Sequence, residues 1–324
     1  MRILVTGGAG FIGSNLIGAL LENPGVRFIR ALDNLSTGRL ENVEPFLHHP
    51  RFQLIQGDIR SLSDCRGACG DIDAISHQAA LGSVPRSIKA PASSHEVNVT
   101  GFINLLEAAR EQRIKRIVYA SSSAVYGDLE ESPKREDRTG RVLSPYAATK
   151  MANELYAEAY SRSYDMQLWG FRYFNVFGPR QHPDGPYAAV IPLFIKAALT
   201  DTPPVINGDG SITRDFTPIG NVVQANIEGL FTERPEPFHE VLNVACGQTT
   251  TLNDLWEMIR SITGTSVTAI HGAPRRGDIT ASLAATAKAA RLLGYQPDAD
   301  LRKHLTRTIE DFKSRYFSHD RQLY

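Results

Sequence analysis

A glycine-rich turn close to the N-terminus constrains the fold more than any other feature of the sequence. Residues 3–5 form a short apolar run that leads into the segment TGGAGFIG, and a helical pattern follows. Gly8, Gly10 and Gly13 match G-x-G-x-x-G, and Gly7 begins a wider match with the last two of these glycines. Between a strand and a helix, such glycines make the turn, admit a pyrophosphate and allow close packing. The pattern predicts a dinucleotide site whose phosphates lie at the helix N-terminus; a glycine-rich turn that binds nothing is the alternative.

An acidic residue follows at the distance that a dinucleotide site requires. Asp33 stands 20 residues after Gly13, at the end of the second predicted strand, where a carboxylate accepts hydrogen bonds from the adenosine ribose. Because an acid repels a 2′-phosphate, the sequence predicts NAD rather than NADP. Arg39 lies beyond the next turn and is predicted to be a surface residue. The segment 57–59, Gly-Asp-Ile, is either an adenine contact or a plain turn.

Apolar runs alternate with helical patterns along the first half of the chain. This alternation requires right-handed crossovers and a parallel sheet that is covered on both faces. The predicted strands are residues 2–6, 28–32, 52–56, 74–76, 116–120 and 167–174, and the predicted helices are residues 15–21, 98–111, 146–164, 190–199, 219–231, 252–262 and 301–316. The fold class is therefore α/β, a Rossmann-type doubly wound parallel sheet with a smaller C-terminal α/β substrate lobe.

The irregular second half of the chain suggests a second unit. We assign residues 1–174 to a NAD-binding domain, with residues 215–245 packing back on it. Residues 175–214 and 246–324 are assigned to a lobe that binds the substrate. A length of 324 residues agrees with about two domains.

Charge and cysteine content exclude several classes of function. Lys and Arg number 35, and so do Asp and Glu, so neither nucleic acid nor a membrane surface is predicted as a partner. No apolar run approaches the ~18 residues of a membrane span, and no signal peptide is predicted, because the N-terminal apolar run is shorter than the ~7–15-residue core of such a peptide. The sparse cysteines indicate a reducing compartment, and the cytoplasm is the predicted location. Cys65 and Cys69 share a helix face but leave zinc short of ligands, so no metal is predicted.

A tyrosine and a lysine are spaced to act together on one predicted helix. Tyr146 and Lys150 form Y-x-x-x-K, which places both on one face. A nearby cation lowers a phenol pKa by ~1–3 units, which would let Tyr146 take a proton from a hydroxyl as hydride leaves the carbon. An ordinary amphipathic pair is the alternative. Upstream, Ser121, Ser122 and Ser123 end the fifth strand, where side chains either point into a ligand crevice or cap a turn.

These motifs together resemble the extended short-chain dehydrogenases/reductases, specifically their nucleotide-sugar epimerase branch. The resemblance spans nearly the whole chain and is similar in detail to bacterial UDP-N-acetylhexosamine 4-epimerases. It rests on residues 6–13, Asp33, the segment 121–127 and the Tyr146/Lys150 pair, and it continues through RYFNVFGP at 172–179, RDF at 214–216, RRGD at 275–278, SVPRS at 83–87 and QHPDGPYAAVIP at 181–192. One departure is TPIGN at 217–221, where many members carry an acidic residue; here the segment is predicted to start a helix.

The resemblance implies a role for each matching residue. Ser122 would be the catalytic serine, assisted by Ser123, with Tyr146 as the acid/base and Lys150 holding the nicotinamide ribose and tuning Tyr146. The implied NAD-binding residues are Gly7, Gly10, Phe11, Ile12, Gly13, Asp33, Asn34, Ser36, Gly38, Asp58, Ile59, Gln78, Ala79, Ala80, Asn98, Tyr146, Lys150 and Tyr173. The implied substrate residues are Ser83, Arg86, Ser122, Ser123, Asn175, Ala189, Val190, Asn207, Arg214, Arg275, Asp278 and Ser282.

Neighbours of the catalytic serine distinguish between reactions within the branch. Dehydratases of the family carry Asp-Glu and decarboxylases carry Glu at that place, whereas this chain has Ser123 and Ala124. The simplest reaction is therefore oxidation at C4 and return of hydride to the other face, with tightly bound NAD. Epimerases restricted to plain hexoses carry a bulky Tyr at the place that resembles Ser282. The small Ser282 side chain leaves room there for an N-acetyl group. Arg86 either pairs with a uronate or supports its loop.

The expected function is C4 epimerisation of UDP-N-acetylhexosamines (UDP-GlcNAc/UDP-GalNAc) or their uronic acids, for surface polysaccharide or lipopolysaccharide synthesis. The alternatives are a UDP-glucose or UDP-glucuronate 4-epimerase, a nucleotide-sugar dehydratase or decarboxylase, a redox enzyme that releases NADH, and a non-catalytic NAD-sensing regulator. The resemblance also implies a homodimer formed through the helices at residues 98–111 and 147–164.

Overall fold

The glycine-rich turn connects a buried strand to a helix, as the sequence predicts. The computed structural model describes residues 1–183, 189–273 and 281–317. Its strands are β1 (Arg2–Thr6), β2 (Phe28–Asp33), β3 (Phe52–Gln56), β4 (Ala74–His77), β5 (Arg116–Ser122), β6 (Gln167–Tyr173), β7 (Val176–Phe177), β8 (Val205–Asn207), β9 (Thr213–Arg214), β10 (Thr217–Pro218), β11 (Phe238–Val244), β12 (Thr250–Thr251), β13 (Ile270–Gly272) and β14 (Ala281–Ser282).

Helices cover both faces of the main sheet and build most of the C-terminal part. They are α1 (Phe11–Glu22), α2 (Leu62–Cys69), α3 (Val84–Lys89), α4 (Pro91–His95), α5 (Gly101–Glu111), α6 (Pro145–Tyr164), α7 (Val190–Leu199), α8 (Ile219–Phe231), α9 (Leu252–Thr263), α10 (Ala287–Leu293) and α11 (Leu301–Tyr316). Short polar side chains start several of them. The Ser144 hydroxyl, for example, accepts the N–H of Ala147 at 3.1 Å at the start of α6. No described helix combines the length and the apolar character that a bilayer crossing requires.

Seven parallel strands form the main sheet in the order β11-β6-β5-β4-β1-β2-β3. The strand order reverses between β1 and β4, the point at which open α/β sheets bind ligands beyond their carboxyl ends. The predicted Rossmann-type doubly wound sheet is therefore confirmed. Strand β11 is not predicted from the sequence. This edge strand is buried only toward its end, and His239, Glu240 and Asn243 interrupt its apolar pattern.

The two faces of the sheet have separate cores. On one face, α1 and α8 pack their apolar side chains, including Leu16, Leu20 and Val222, against the strands. On the other face, α2, α5 and α6 contribute Cys65, Cys69, Phe102, Leu106 and Ala157. Burial raises the pKa of each of the two thiols to about 12, so they behave as small apolar side chains. Within residues 1–183, 189–273 and 281–317, no group of three or more His, Cys, Asp or Glu side chains is placed to hold a metal ion.

One predicted helix differs in the structure from its simple helical pattern. The segment predicted at 98–111 starts with a π-helical turn, Glu96–Thr100, and continues as α5. The wide turn contains Asn98, which is buried, and π-turns of this kind often occur at functional sites. Periodicity alone does not separate such a turn from a regular helix.

A third core lies in the C-terminal part of the chain. Phe177, Phe194, Trp256 and Phe312 pack together there with the apolar faces of α7, α9 and α11. Strand β14 runs parallel to β9, which sets Ser282 opposite Arg214. Strand β10 and α8 occupy the TPIGN segment, so the predicted helix start at Ile219 is confirmed. The division into a NAD-binding domain and a substrate lobe stays a prediction.

Candidate active site

A cavity of about 700 Å³ lies at the carboxyl end of the main sheet. The glycine-rich turn, the loops after β2, β3 and β4, the end of β5 and the start of α6 line it. Nearly all predicted NAD-binding residues meet there, together with the four residues predicted to be catalytic. The lining includes Gly7, Gly10, Phe11, Ile12, Gly13, Asp33, Asn34, Ser36, Gly38, Asp58, Ile59, Gln78, Ala79, Ala80, Ser122, Ser123, Tyr146, Lys150 and Tyr173.

The glycine-rich turn has no space for side chains. Gly7 adopts a φ of +66°, and a Cβ there would lie 2.7 Å from the backbone nitrogen of Ala79. A Cβ on Gly13 would lie 2.2 Å from the carbonyl oxygen of Gly7. Gly10 occupies the N-cap position of α1, where no side chain accepts the free N–H groups and the first turn carries no acid. The positive end of the helix therefore faces the cavity uncompensated, which fits a dinucleotide pyrophosphate.

Asp33 is held in place by backbone groups at the end of β2. Its carboxylate accepts the N–H of Ala9 at 2.9 Å and the N–H of Leu35 at 2.8 Å. Burial raises the pKa of Asp33, and these two hydrogen bonds oppose the rise. A Cβ on Gly38 would lie 2.8 Å from both carboxylate oxygens, so a larger residue there would crowd the carboxylate. Asp33 thus lines the cavity as an oriented acceptor that fits two ribose hydroxyls.

Asp58 extends the same end of the cavity. It accepts from the amide of Asn34 at 2.9 Å and forms an ion pair with Arg60 at 2.7 Å. The hydrogen bond from Arg60 lowers the pKa of Asp58 to about 2, so the group is ionised at neutral pH. Arg60 was not among the residues predicted from the sequence, because it lies beyond the recognised motif.

At the opposite end of the cavity, the Ser122 hydroxyl lies close enough to the Tyr146 phenol to lower its pKa as a hydrogen-bonding partner. Ser122 ends β5, and its hydroxyl also accepts the N–H of Ala124 at 3.2 Å. Tyr146 lies in the first turn of α6, where its own N–H donates to the buried hydroxyl of Ser87 at 3.0 Å. The two side chains are therefore placed to share a proton.

Lys150 is nearly inaccessible, with 2% of its surface exposed. Its ammonium donates to the carbonyl oxygen of Ala120 at 2.9 Å. Burial lowers the pKa of Lys150 to about 8, and the charge of Glu154 opposes that effect. The i, i+4 spacing predicts that Lys150 lowers the pKa of Tyr146. Instead, burial raises the pKa of Tyr146, and the hydrogen bond from Ser122 opposes that rise only in part.

A polar network lies beside the cavity at the end of β6. The Tyr173 hydroxyl donates to the side-chain oxygen of Gln78 at 3.1 Å and accepts from the Asn226 amide at 2.8 Å. The Gln78 amide in turn donates to Asn226 at 2.9 Å and to Ser76 at 2.9 Å. Asn226 comes from α8, far along the chain, and no local motif marks it. The network fixes the orientation of two side chains that line the cavity.

Asn98 was predicted to bind the cofactor, but the structure places it behind the cavity lining. Its side-chain oxygen accepts the N–H of Leu81 at 2.8 Å, and its amide donates to the Leu81 carbonyl at 3.2 Å and to Thr149 at 3.1 Å. The Thr149 hydroxyl donates to the Tyr146 carbonyl at 2.7 Å. Asn98 therefore connects the loop after β4 to the first turn of α6.

The predicted substrate residues fall into three groups. Several line the cavity with the catalytic residues: Ser83, Arg86, Asn175 and Ala189. Four others are described but do not line it: Val190, Asn207, Arg214 and Ser282. Arg275 and Asp278 lie outside the described residues. Asn175 has a strained φ of +36°, and its amide donates to the carbonyl of Asp215 at 2.9 Å.

The cavity separates its charges along its length. Among the described lining residues, the carboxylates are Asp33 and Asp58, both at the end suited to adenosine. The opposite end combines the hydroxyls of Tyr146 and Ser122 with the buried ammonium of Lys150. That end can move a proton to or from a bound hydroxyl, and it offers no carboxylate to protonate a leaving group.

Comparison with known proteins agrees with this geometry. Residues 3–245 match the model of the "NAD dependent epimerase/dehydratase family". A putative UDP-glucose 4-epimerase of Methanocaldococcus jannaschii is 37% identical over 96% of this chain and 98% of its own length. The UDP-glucose 4-epimerase of Mycolicibacterium smegmatis is 36% identical over 97% of this chain and 99% of its own length.

Two solved structures resemble the whole fold. The UDP-N-acetylglucosamine 4-epimerase of Methanobrevibacter ruminantium, in complex with UDP-N-acetylmuramic acid, superposes with a TM-score of 0.91 at 37% identity, covering 97% of this chain and 98% of the other. The UDP-glucuronic acid 4-epimerase of Bacillus cereus, in complex with UDP-glucuronic acid and NAD, superposes with a TM-score of 0.89 at 32% identity. The match covers 98% of this chain and 100% of the other.

Proposed function

The chain belongs to the NAD dependent epimerase/dehydratase family, and from that premise we propose that it inverts C4 of a UDP-N-acetylhexosamine or of the corresponding uronic acid. It is a NAD-dependent UDP-sugar 4-epimerase, an isomerase that passes through a transient 4-keto sugar. The observation that carries the proposal is that Tyr146 and Ser122 line one cavity together with the buried Lys150, with no carboxylate at that end among the described lining residues.

The residues of this chain have separable tasks in such a reaction. A bound NAD would supply the hydride acceptor and donor that oxidation and reduction at C4 require. The Tyr146 oxygen removes the proton of the C4 hydroxyl and later gives it back, while Ser122 shares that proton through its hydrogen bond. Lys150, Asp33 and the helix α1 N-terminus fit the two riboses and the pyrophosphate of the cofactor.

The positive charge of an oxidised nicotinamide ring would help Tyr146 to remove a proton. Burial raises the pKa of the phenol, so the protein alone disfavours the phenolate. Nearby positive charge lowers the pKa of a phenol, and a bound nicotinamide ring in its oxidised form adds such a charge. Proton removal by Tyr146 is therefore favoured only while the oxidised cofactor is in place.

Ser282 supports an N-acetylated sugar over a plain hexose. It lies on β14, opposite Arg214 on β9, in the part of the chain assigned to the sugar nucleotide. A small side chain leaves room for the substituent at C2, although such a fit discriminates by only about 1–3 kcal/mol per small group. Arg86, which lines the cavity, supports a uronate at C6. UDP-glucose and UDP-glucuronate 4-epimerases are the second candidate, because relatives of both kinds match the chain.

The test is epimerisation without added cofactor. Purified protein is incubated with UDP-GlcNAc, UDP-GlcNAcA, UDP-Glc and UDP-GlcA in separate reactions, and the anomeric proton is followed by NMR. We expect the C4 epimer from an N-acetylated substrate, no loss of water or carbon dioxide, and no accumulation of NADH at 340 nm. Tyr146→Phe serves as the inactive control. Conversion of the plain sugars alone would replace the proposal with the second candidate, and loss of water would indicate a dehydratase.

We also propose that the protein forms a homodimer and acts in the cytoplasm. We expect a homodimer through α5 and α6, because α6 exposes Leu155, Tyr156 and Tyr164 at 66%, 41% and 45% of their surfaces. Light scattering on the full chain measures the mass directly. A cytoplasmic enzyme that supplies UDP-sugars for surface polysaccharide or lipopolysaccharide fits this reaction.

A further inference from the structure

A buried ion pair that does not line the cavity joins the elements that carry its catalytic end. The Glu154 carboxylate on α6 accepts from Nε and Nη2 of Arg172 on β6 at 3.0 and 2.7 Å. The two side chains are only 7% and 4% exposed. The Ser121 hydroxyl on β5 donates to the same carboxylate at 2.5 Å. One carboxylate therefore holds β5, α6 and β6 together.

Ser121 itself lines the cavity, and each member of this group lies next to a further lining residue in sequence or along the helix. The neighbours are Ser122 after Ser121, Lys150 one helical turn before Glu154, and Tyr173 after Arg172. A change in the geometry of the ion pair would consequently move three side chains of the site at once. No other buried ion pair among the described residues contacts these three elements together.

Stability alone does not explain the presence of these charges. A buried ion pair is weak evidence for stability, because the desolvation cost offsets the attraction between the charges. Here each guanidinium nitrogen has a partner: Nη1 donates to the Glu136 carbonyl at 3.2 Å, and the group lies over the Tyr126 ring at 4.8 Å from its centroid. The buried charges have hydrogen-bond partners, but their desolvation still costs free energy. A functional role therefore accounts better for this ion pair than a structural one.

We propose that Glu154 and Arg172 are positioning residues for the C4 epimerisation, acting on Ser122 through Ser121 and on the buried Lys150 through the Glu154 charge. This inference rests on the proposed function, since it concerns the same catalytic end of the cavity.

The groups around Lys150 indicate why Glu154 matters. Burial lowers the pKa of Lys150 to about 8, and the Glu154 charge opposes this. Burial, and then the Lys150 charge, lower the pKa of His77 on β4 to about 3, so His77 is uncharged at neutral pH and adds no charge beside Lys150. Tyr146, on the same helix, is neutral because burial raises its pKa. Arg172 on β6 is paired with the Glu154 carboxylate. Loss of the Glu154 charge would leave an unpaired guanidinium nearby and weaken the protonated form of Lys150.

The test compares two variants of the holoenzyme that separate charge from geometry. Glu154→Gln removes the charge and keeps the length, whereas Glu154→Asp keeps the charge and shortens the side chain. For Glu154→Gln we expect kcat to fall at least about tenfold with KM within about twofold, as for a lost acid–base contribution. The ¹³Cε resonance of Lys150, assigned with Lys150→Met, should titrate about 1 unit lower. In Glu154→Asp the titration should stay near the wild-type value while kcat falls.

The matched control is an exposed pair with the same geometry. Arg66 contacts the Glu111 carboxylate at 2.7 Å through both Nε and Nη2, with 50% and 33% of the two side chains exposed. Glu111→Gln should change neither kcat nor the Lys150 titration.

A folded Glu154→Gln protein with wild-type kcat and an unmoved Lys150 titration would overturn the inference. If that variant does not fold, Ser121→Ala, which deletes a single hydrogen bond, replaces it; an unchanged kcat in Ser121→Ala would overturn the positioning role. The proposed function fails separately, if wild-type protein epimerises no UDP-sugar, and the Lys150 titration then still decides whether Glu154 acts on that lysine.

Discussion

The carboxylate of Asp215 accepts the backbone N–H of Ala284 at 3.2 Å, across 69 residues of sequence. The same carboxylate accepts the N–H groups of Cys246 and Gly247, each at 3.0 Å. It is fully buried, and the strand that precedes it, β9, pairs with β14, which carries Ser282. One buried acid thus connects the loop after β11 to the segment that is proposed to meet the sugar.

Removal of that carboxylate should destabilise the protein. Asp215→Ala leaves the buried N–H of Ala284 and the part-buried N–H groups of Cys246 and Gly247 without their acceptor, and a buried N–H without an acceptor costs about 1–3 kcal/mol. We expect the free energy of unfolding, measured by urea denaturation, to fall by at least about 1 kcal/mol. Asp137→Asn, at an exposed ion pair, should change it by less than about 0.5 kcal/mol. Equal losses in the two variants would contradict the role of Asp215.

The Asp215 carboxylate should also make stability depend on pH. Burial raises its pKa from 3.8 to about 6, and the backbone hydrogen bonds oppose the rise. Because the pKa is higher in the folded state, the stabilising contribution of this group is complete below about pH 4 and is lost as the pH rises through about 6.

Asp215→Asn removes this titration and so provides the comparison. Between pH 4.5 and 7.5, the difference in unfolding free energy between wild type and Asp215→Asn should shrink by on the order of 2 kcal/mol. Urea denaturation at a series of pH values measures it, and the subtraction cancels the carboxylates that both proteins share. A difference that widens with pH would show that the carboxylate is stabilised in its charged form instead.

Tyr146 should be essential for turnover and dispensable for the fold. Tyr146→Phe removes the hydroxyl that is hydrogen-bonded to Ser122, and loss of a positioned acid/base typically costs about 10²–10⁴ in rate. We expect kcat to fall within that range while the melting temperature and the NAD content stay near wild type. Tyr156→Phe, on the exposed face of the same helix, is the matched control and should keep full activity. Retention of activity by Tyr146→Phe would favour the NAD-sensing alternative.

Asp33 should determine both the affinity for NAD and the discrimination against NADP. Asp33→Asn weakens charge-assisted hydrogen bonds to the ribose, each worth about 1.5–3 kcal/mol, so NAD binding should fall at least about tenfold. The loss of a negative charge at the end of β2 should reduce the difference in binding affinity between NAD and NADP. Calorimetric titration of stripped protein measures both affinities. An unchanged preference for NAD would mean that other groups exclude the 2′-phosphate.

The parts of the fold and of the site that could be predicted from the sequence are those that depend on short spacings along the chain. The turn at Gly7 to Gly13, Asp33 and the Tyr146/Lys150 pair each rely on short spacings, and the structure brings them to one cavity. Six of the seven sheet strands are predicted from their short apolar runs, whereas in β11 the polar residues His239, Glu240 and Asn243 interrupt the apolar pattern.

Long-range partners explain what could not be predicted. Asn226 meets Tyr173 across 53 residues, and Ser121 meets Glu154 across 33. Such pairs depend on the sheet order and on helix placement, which no spacing in the sequence encodes. The burial that raises the pKa of Tyr146 likewise depends on the folded cavity, and the spacing to Lys150 does not encode it.

Ser282 provides the sharpest test of sugar choice. It lies on β14, paired with β9, and its small side chain is the basis for proposing an N-acetylated substrate. Ser282→Tyr fills that space, and a steric conflict with one small group costs about 1–3 kcal/mol, or about 10- to 200-fold in kcat/KM. We therefore expect kcat/KM for UDP-GlcNAc to fall at least about tenfold while the value for UDP-Glc stays within about threefold. Ser282→Ala, which keeps the space, should leave the ratio of the two values near wild type. An equal fall for both sugars in Ser282→Tyr would indicate a general distortion of β14, and an unchanged ratio would show that Ser282 does not face the C2 substituent.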